Sequence, residues 1–101
     1  MELTGKQWIG KTLEAVGDQT FQAYNPADQT PLNPPFYEAT IAEAGMALRL
    51  AQESFDAFRS RSPEDRAQLL DAIADQIMAL GDELLERAHL ETGLPMPRLT
   101  G

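Results

Sequence analysis

Two amphipathic helical patterns in residues 40–93 constrain the fold more than any other feature of the chain. In each pattern, apolar residues recur at alternating spacings of three and four, which places them on one face of an α-helix. The first stripe consists of Ile41, Ala44, Leu48, Ala51, Phe55 and Phe58, and the second of Ala67, Leu70, Ile73, Ala74, Ile77, Leu80 and Leu84. Because an apolar face is stable only against a partner surface, the sequence predicts an amphipathic helical hairpin that needs further partners.

Start signals predict where the two helices begin. Thr40 can accept a hydrogen bond from an early backbone amide, and Glu43, three residues later, completes a capping box. Ser62 is a typical N-cap, and Pro63 fits the first turn because its missing N–H is not needed there. We therefore predict one helix over about 40–60 and a second that begins at Ser62.

Glycines predict where the helical region breaks and ends. Gly81 interrupts the second stripe, which predicts either a break, with Asp82 capping a short third helix, or one long kinked helix. Gly93 and Pro95 then favour a stop, since glycine accepts a left-handed cap and proline disfavours helix at the residue before it. The predicted helices are about 40–60, 62–80 and 82–92, followed by a tail at 94–101.

Residues 1–39 have a different character, with short apolar or aromatic islands separated by glycine and proline. The islands are Trp8-Ile9, Leu13, Phe21, Ala23-Tyr24 and Phe36-Tyr37. They predict two or three short strands, and Asn25-Pro26-Ala27-Asp28 predicts a turn between two of them. The chain is thus predicted to be mostly α, with a short-strand segment at 1–39 and a helical hairpin at 40–93.

Composition excludes several classes of function. The chain has 101 residues, which is the size of one small domain, and it contains no cysteine, so disulfides and thiol chemistry cannot arise from it alone. Its formal net charge of −8 argues against nucleic acid, which binds clustered basic residues. No apolar run approaches the ~20 residues that span a bilayer, and no signal sequence is evident, so we expect a cytoplasmic protein without a membrane partner.

Few residues could carry chemistry. His89 is the only histidine, and with Glu86 it would supply at most half of a weak metal site, so we interpret it as a histidine interacting with a helix C-terminus. Asp71 and Asp75 share a helix face and could resemble a carboxylate pair, but they are better interpreted as the solvated side of the second helix. The sequence predicts no metal ligand and no catalytic residue.

No phosphate-binding loop is evident either. Gly5 and Gly10 match neither a Walker motif nor a dinucleotide fingerprint. Met46, Met78 and Met96 are interpreted as gap fillers or surface residues rather than a methionine-rich groove. We therefore predict that no cofactor binds to this chain by itself.

The order of these elements resembles the amino-terminal segment of the aldehyde dehydrogenase superfamily. The residues that carry the resemblance are Trp8-Ile9-Gly10, Phe21 through Asn25-Pro26-Ala27, Ala39-Thr40, Ala47, Ala51, Phe55, Ala57, Phe58, Ser62 through Ala67, Leu70, Ile73-Ala74 and Glu91-Thr92-Gly93-Leu94-Pro95. Each piece is common by itself, whereas their order and spacing together are specific. The resemblance covers nearly the whole chain and implies an α/β family origin.

A finer resemblance is to NADP-dependent alpha-ketoglutaric semialdehyde dehydrogenases. It rests on Leu3-Thr4-Gly5-Lys6, Asp71 through Asp75, Ala79 through Asp82, Glu91 through Pro95 and Arg98-Leu99. One departure is that Asp28-Gln29 replaces the Thr-Gly pair usual after Asn-Pro-Ala, which affects the turn and no catalytic group.

The resemblance implies an enzyme in which a cysteine thiolate attacks an aldehyde, hydride passes to NADP or NAD, and a glutamate activates the water that releases the acid. The groups that perform these steps lie beyond Gly101 in the family. The chain is therefore expected to be an inactive scaffold fragment of one cofactor-binding domain, with the remainder of the enzyme or a second copy as its partner and a homo-oligomer as the intact protein. The alternative is a self-sufficient acidic helical adaptor that binds a partner without catalysis.

Overall fold

Short strands precede helices in the computed structural model, which describes residues 2–101. The strands are β1 (Gln7–Ile9), β2 (Thr12–Glu14), β3 (Thr20–Tyr24) and β4 (Pro31–Tyr37), and the helices are α1 (Ile41–Arg59), α2 (Pro63–Ala79), α3 (Gly81–Thr92) and α4 (Met96–Thr100). This arrangement confirms the predicted class, a mostly α chain with short amino-terminal strands.

The strands form two separate antiparallel pairs. Trp8 of β1 lies opposite Leu13 of β2, and Phe21 of β3 lies opposite Phe36 of β4, with the two phenylalanine rings stacked at 5.9 Å between centroids. The structure contains four strands where the sequence predicted two or three. The sequence of β4 includes three prolines, which usually argue against a strand, but in a two-stranded sheet each strand is an edge and the missing N–H groups need no partner.

Two hydrogen bonds join the start of the β1–β2 hairpin to the end of β4. The amide of Tyr37 donates to the carbonyl of Gly5 at 2.9 Å, and Gln7 Nε2 donates to the carbonyl of Tyr37 at 2.6 Å. Gly5 has φ +73°, and a Cβ there would lie 2.0 Å from the carbonyl oxygen of Pro35. Only glycine fits this close approach, so Gly5 has a packing role and does not belong to a phosphate loop.

The turn between β3 and β4 follows the prediction made from Asn25-Pro26-Ala27-Asp28. Asn25 Oδ1 accepts a hydrogen bond from the Ala27 amide at 3.0 Å, and Asp28 Oδ1 accepts from both the amide and the hydroxyl of Thr30 at 3.1 and 2.7 Å. Gln29 adopts a φ of +59°, a left-handed conformation that glycine adopts without strain. The departure from the Thr-Gly pair therefore places a residue other than glycine at a left-handed backbone position, where its amide donates to the Asn25 carbonyl at 2.7 Å.

Caps begin α1 and α2 where the sequence predicted. The Glu43 amide donates to Thr40 Oγ1 at 3.2 Å, and the Thr40 amide donates to Glu43 Oε1 at 2.9 Å, which completes the capping box. At α2 the Asp65 amide donates to Ser62 Oγ at 3.1 Å, and Pro63 occupies the first turn. The observed limits of both helices differ by one residue from the predicted ones.

Replacing the N-cap of α2 tests this assignment. Ser62→Ala should lower the free energy of unfolding by roughly 0.5–2 kcal/mol, because the Asp65 amide loses its acceptor. Ser54→Ala is the matched control, since the Ser54 hydroxyl only donates to the Ala51 carbonyl inside α1 and alanine is a better helix former. Urea unfolding followed by circular dichroism measures both, and equal stability of the two variants would exclude Ser62 as the cap.

The break at Gly81 is real, but its cap differs from the prediction. Gly81 has φ +61°, α2 ends at Ala79, and the N-cap position of α3 is Leu80, which makes no side-chain cap hydrogen bond. Asp82 was predicted as the cap and instead lies inside the first turn, where its carboxylate interacts favourably with the helix dipole. The difference follows from Gly81, whose left-handed conformation allows α3 to begin two residues earlier than an N-cap at Asp82 would allow.

The carboxyl end contains one helix that the sequence treated as a tail. Gly93 ends α3 with φ +72°, and its amide donates to the His89 carbonyl at 2.9 Å. After Pro95 the chain forms the short α4, which contacts α3. Pro97 lies in its first turn, where proline is tolerated.

The molecule is open, and its helical stripes are uncovered. Among residues 2–101 no apolar side chain is buried, and Glu43, 7% exposed, is the only buried polar or charged side chain. The radius of gyration is 17.1 Å, whereas a compact domain of this length has about 13 Å. Ile41 is 94% exposed and Leu48 74%, so the stripe of α1 is not packed on α2.

Candidate functional site

His89 lies at the carboxyl end of α3, as its sequence position indicated. Its Nδ1 is 2.7 Å from the carbonyl oxygen of Leu94, and because a carbonyl only accepts, this nitrogen carries the proton. The ring therefore holds the chain just after α3. Within residues 2–101 no group of three or more His, Cys, Asp and Glu side chains could hold a metal ion.

Asp71 and Asp75 lie one turn apart on α2 and are both exposed. A rotation of about 100° per residue places them on the side of α2 opposite Ile73 and Ile77. Both side chains lie in solvent, and in residues 2–101 neither borders a cleft that could hold a substrate against them. The structure thus supports the interpretation of this pair as the solvated side of the helix.

A cleft of about 500 Å³ separates the β1–β2 hairpin from the start of α1. It is lined by Ile9, Gly10, Lys11, Thr12, Glu14, Val16, Thr40, Ala42, Glu43, Met46 and Leu50. Its charged groups are one lysine and two glutamates, and the Thr40 hydroxyl is already engaged in the capping box. The cleft therefore has no activated nucleophile, and its net negative charge disfavours anions.

The residues present do not fit a nucleotide diphosphate. Phosphates bind at helix N-termini whose amides are free, often beside a glycine-rich loop. The start of α1 is occupied by the Glu43 carboxylate, α2 begins with Glu64 and Asp65, and α3 begins with Asp82 and Glu83. Carboxylates in the first turn repel phosphate, so we derive no catalytic step through a nicotinamide cofactor from these residues.

The pKa of Asp28 is shifted by its surroundings. Hydrogen bonds from the Thr30 hydroxyl and then from the Thr30 amide stabilise the carboxylate, so the pKa of Asp28 lies below its ordinary value of 3.8. A carboxyl group with a lowered pKa in the folded state contributes stability above its unfolded pKa and loses that contribution as the pH falls through its folded pKa. The β3–β4 turn is therefore stabilised by ionised Asp28.

The lowered pKa of Asp28 predicts that the β3–β4 turn loses stability in acid. As the pH falls below about 4, the β3–β4 turn should lose stability, and Asp28→Asn should make the turn less sensitive to pH in that range. Carboxyl chemical shifts from an NMR titration measure the pKa of Asp28 directly. A pKa of Asp28 at or above its ordinary value of 3.8 would contradict the assigned hydrogen bonds.

An apolar groove of about 480 Å³ runs along α2. It is lined by Leu69, Ala72, Ile73, Gln76, Ile77 and Leu80, and this set is called the α2 groove below. Sequence reasoning identified Ile73, Ile77 and Leu80 from their spacing but omitted Leu69, Ala72 and Gln76, which lie at the other edge of the same face. None of the six residues is ionisable, so the groove is suited to contact with protein and not to catalysis.

Arg87 is a structural residue that sequence reasoning missed. Its side chain is only 16% exposed, its Nε donates to Glu91 Oε1 at 2.8 Å, and its Nη1 donates to the carbonyl of Asn33 in β4. The pairing with Glu91 is visible in the sequence as an i, i+4 pair, but the contact with Asn33 joins residues 54 positions apart. Arg87 thus fastens α3 to the β3–β4 hairpin.

These features describe a segment with short strand pairs and uncovered apolar helix faces. Residues 13–101 match the model of the aldehyde dehydrogenase family. The chain belongs to the aldehyde dehydrogenase family, which is a family of oxidoreductases.

Curated relatives agree with this assignment. The chain is 46% identical over its whole length to alpha-ketoglutaric semialdehyde dehydrogenase 2 of Azospirillum brasilense and 38% identical over 99% of its length to alpha-ketoglutaric semialdehyde dehydrogenase of Acinetobacter baylyi. It is 29% identical over 86% of its length to the NADP(+) succinate-semialdehyde dehydrogenase 2 of Schizosaccharomyces pombe, of which it covers 17%. The chain spans 19% of the length of each of the first two relatives. No solved structure matches the chain.

Proposed function

We propose that this chain is the amino-terminal scaffold of an aldehyde dehydrogenase that oxidises a small semialdehyde, alpha-ketoglutaric semialdehyde in particular, to the carboxylic acid. The observation that carries the proposal is the 46% identity over the whole chain to a protein named for that substrate. The proposed cofactor of the whole enzyme is NADP, with NAD as the second possibility. Support for NADP comes from the sequence resemblance and from the name of the yeast relative.

The open fold is consistent with a scaffold role. The exposed stripes of α1 and α2 offer an apolar surface, and contacts between α1 and β1 and between α3 and β3 join these two helices to the hairpins. The reaction of the family requires a nucleophile and a general base, and this chain has no cysteine. In the proposal other parts of the enzyme supply those groups, and this segment supports them.

Two further properties belong to the proposal. We propose that the whole enzyme is a homo-oligomer and that it is cytoplasmic, as expected from the sequence. Separately, in residues 2–101 each helix is too short or too polar to cross a bilayer.

A chimaeric enzyme tests the proposal. The corresponding amino-terminal segment of the Azospirillum brasilense relative is replaced by this chain, and the oxidation of alpha-ketoglutaric semialdehyde is followed by the absorbance of reduced NADP. We expect a soluble enzyme whose kcat/KM lies within about tenfold of the parent, a difference of about 1.4 kcal/mol. A well-folded chimaera without activity, or one that oxidises other aldehydes in preference, would count against the proposal.

Paired variants of the chimaera test the scaffold surface. Leu70→Glu with Ile77→Glu places charges on the second stripe, where burial of unpaired charge is costly, so the yield of soluble enzyme should fall steeply. The control, Asp71→Ala with Asp75→Ala, changes the opposite side of α2 and should leave yield and activity near the parent values. Equal tolerance of both pairs would mean that the second stripe is not covered in the enzyme.

A further inference from the structure

Glu43 carries a buried carboxylate oxygen that has no hydrogen-bond donor. Among residues 2–101 it is the only buried polar or charged side chain, and it is 7% exposed. Its Oε1 accepts from the Thr40 amide at 2.9 Å and from the Thr40 hydroxyl at 3.2 Å. Its Oε2 is shielded from solvent and accepts no hydrogen bond from the described residues. Because a charged acceptor buried without a donor is costly, this oxygen indicates a donor from elsewhere.

The cleft between the β1–β2 hairpin and α1 offers a place for that donor. Glu43 forms part of its wall, and Val16, Met46 and Leu50 contribute apolar side chains to the same volume of about 500 Å³. The hydrogen bonds to Thr40 hold the carboxylate on this wall, so Glu43 cannot turn away without breaking the capping box. A ligand in the cleft therefore meets a fixed acceptor beside apolar surface.

The charges of the cleft favour a cation. Its ionisable groups are Glu43, Glu14 and Lys11, which together carry one net negative charge. Lys11 and Glu14 are exposed, and no basic group of residues 2–101 lies within 4.0 Å of the Glu43 carboxylate. A hard metal ion needs about six oxygen ligands, which apolar walls do not provide. A cation on an apolar stem fits both the acceptor and the walls, and arginine and lysine have this form.

We propose that this cleft binds an arginine side chain from the rest of the enzyme. Its guanidinium donates to Glu43 Oε2, and its methylene groups pack against Met46 and Leu50. The inference rests on the proposed function, in which the chain is one segment of a longer protein. Arginine fits better than lysine because guanidinium is more weakly hydrated, and its five N–H donors can serve Glu43 and leave others for Glu14.

A second copy of the chain is a poor source of this arginine. Each copy carries a net charge of −8, so two copies repel each other. Four of its eight basic residues already pair with nearby carboxylates of the same chain, namely Arg49, Arg59, Arg61 and Arg87. The chain spans only 19% of the length of each of the first two relatives, so in the proposed enzyme most side chains that could enter the cleft belong to the remainder.

A small probe tests the preference of the cleft for guanidinium. The 101-residue chain, labelled with ¹⁵N, is titrated with n-butylguanidinium and, separately, with N-butylurea, which has a similar shape and no charge. We expect saturable shift changes at the amides of Gly10, Met46 and Leu50, with a dissociation constant for the cation on the order of millimolar. The urea should bind at least about tenfold more weakly. Equal affinities would overturn the proposal.

Variants of the cleft assign this preference to one carboxylate. Glu43→Gln removes the charge but keeps the cap, because glutamine also completes a capping box, and the ratio of the two affinities should fall to about one. Glu14→Gln is the matched control, and since Glu14 is exposed the ratio should stay within about twofold of the parent. A preference that survives Glu43→Gln would overturn the proposal. A gain of more than about tenfold in Lys11→Met would also do so, because Lys11 would then be the native partner of Glu43.

The chimaera identifies the source of the cation. Its crystal structure should place a guanidinium nitrogen from the Azospirillum brasilense segment within about 3.2 Å of Glu43 Oε2. A water molecule, a lysine ammonium group or an arginine of a second copy at that position would overturn the proposal. An active chimaera with water beside Oε2 would reject the arginine site alone. A folded but inactive chimaera with the guanidinium in place would reject the proposed function alone.

Discussion

The purified 101-residue chain is expected to show no oxidation of alpha-ketoglutaric semialdehyde with either NADP or NAD. The family reaction begins with attack by a cysteine thiolate, and the chain contains no cysteine. Its only histidine, His89, bonds to the Leu94 carbonyl, and the first turns of α1, α2 and α3 carry carboxylates that disfavour phosphate. Since enzymes exceed uncatalysed rates by at least about a millionfold, even partial catalysis would be obvious.

The measurement compares the rate of nucleotide reduction with and without chain of verified mass. The active chimaera serves as the positive control, and calorimetric titration with NADP should give no saturable heat at sub-millimolar nucleotide. Turnover that rises in proportion to the concentration of the pure chain would contradict the assignment of catalysis to other parts of the enzyme.

Local signals predicted the helical half of the fold well. The capping box of Thr40 and Glu43 and the N-cap Ser62 are decided by residues three apart, so the sequence contains all that is needed to place them. Gly93 likewise ends α3 by itself, through a left-handed conformation that other residues rarely adopt. Asp82 shows the limit of such signals, because the position of the cap depended on the conformation of Gly81.

Non-local contacts were less accessible to sequence reasoning. The sequence of β4 is rich in proline, and its pairing with β3 depends on the stacked rings of Phe21 and Phe36. The turn between them contains Gln29 at positive φ, and no local rule places glutamine there. Pairing of this kind is determined by tertiary contacts that a pattern along the chain does not contain.

The candidate site was predicted mainly through composition. A chain without cysteine and with one histidine offers few catalytic arrangements, and the structure places His89, Asp71 and Asp75 where the sequence indicated. The α2 groove was only partly predicted, because a stripe gives the direction of a helix face but not its edges. Leu69, Ala72 and Gln76 could be assigned to the groove only once the exposed surface was known.

Arg87 is expected to contribute more to stability than any other single side chain that lies outside a helix cap. Arg87→Ala should lower the free energy of unfolding by about 2–3 kcal/mol, because two charge-assisted hydrogen bonds are lost from a side chain that is mostly buried. Since residues 2–101 bury no apolar side chain, this loss removes a main connection between α3 and β4. Arg87→Lys should restore little, since an ammonium group cannot reproduce the forked geometry of guanidinium.

Arg49→Ala provides the matched control for this prediction. Arg49 also forms an i, i+4 pair, with Glu53 at 3.7 Å, but both side chains are more than 60% exposed. Exposed pairs of this kind contribute about 0.3–0.5 kcal/mol, so this variant should remain close to the parent in urea unfolding. Hydrogen exchange locates the effect, because loss of the Asn33 contact should speed exchange in α3 while α1 is unchanged. Equal stability of the two variants would contradict this prediction. The hydrogen bond from Arg87 to Asn33 would then add no more to the free energy of unfolding than an exposed ion pair does, and contacts with β3 alone would hold α3 on the hairpin.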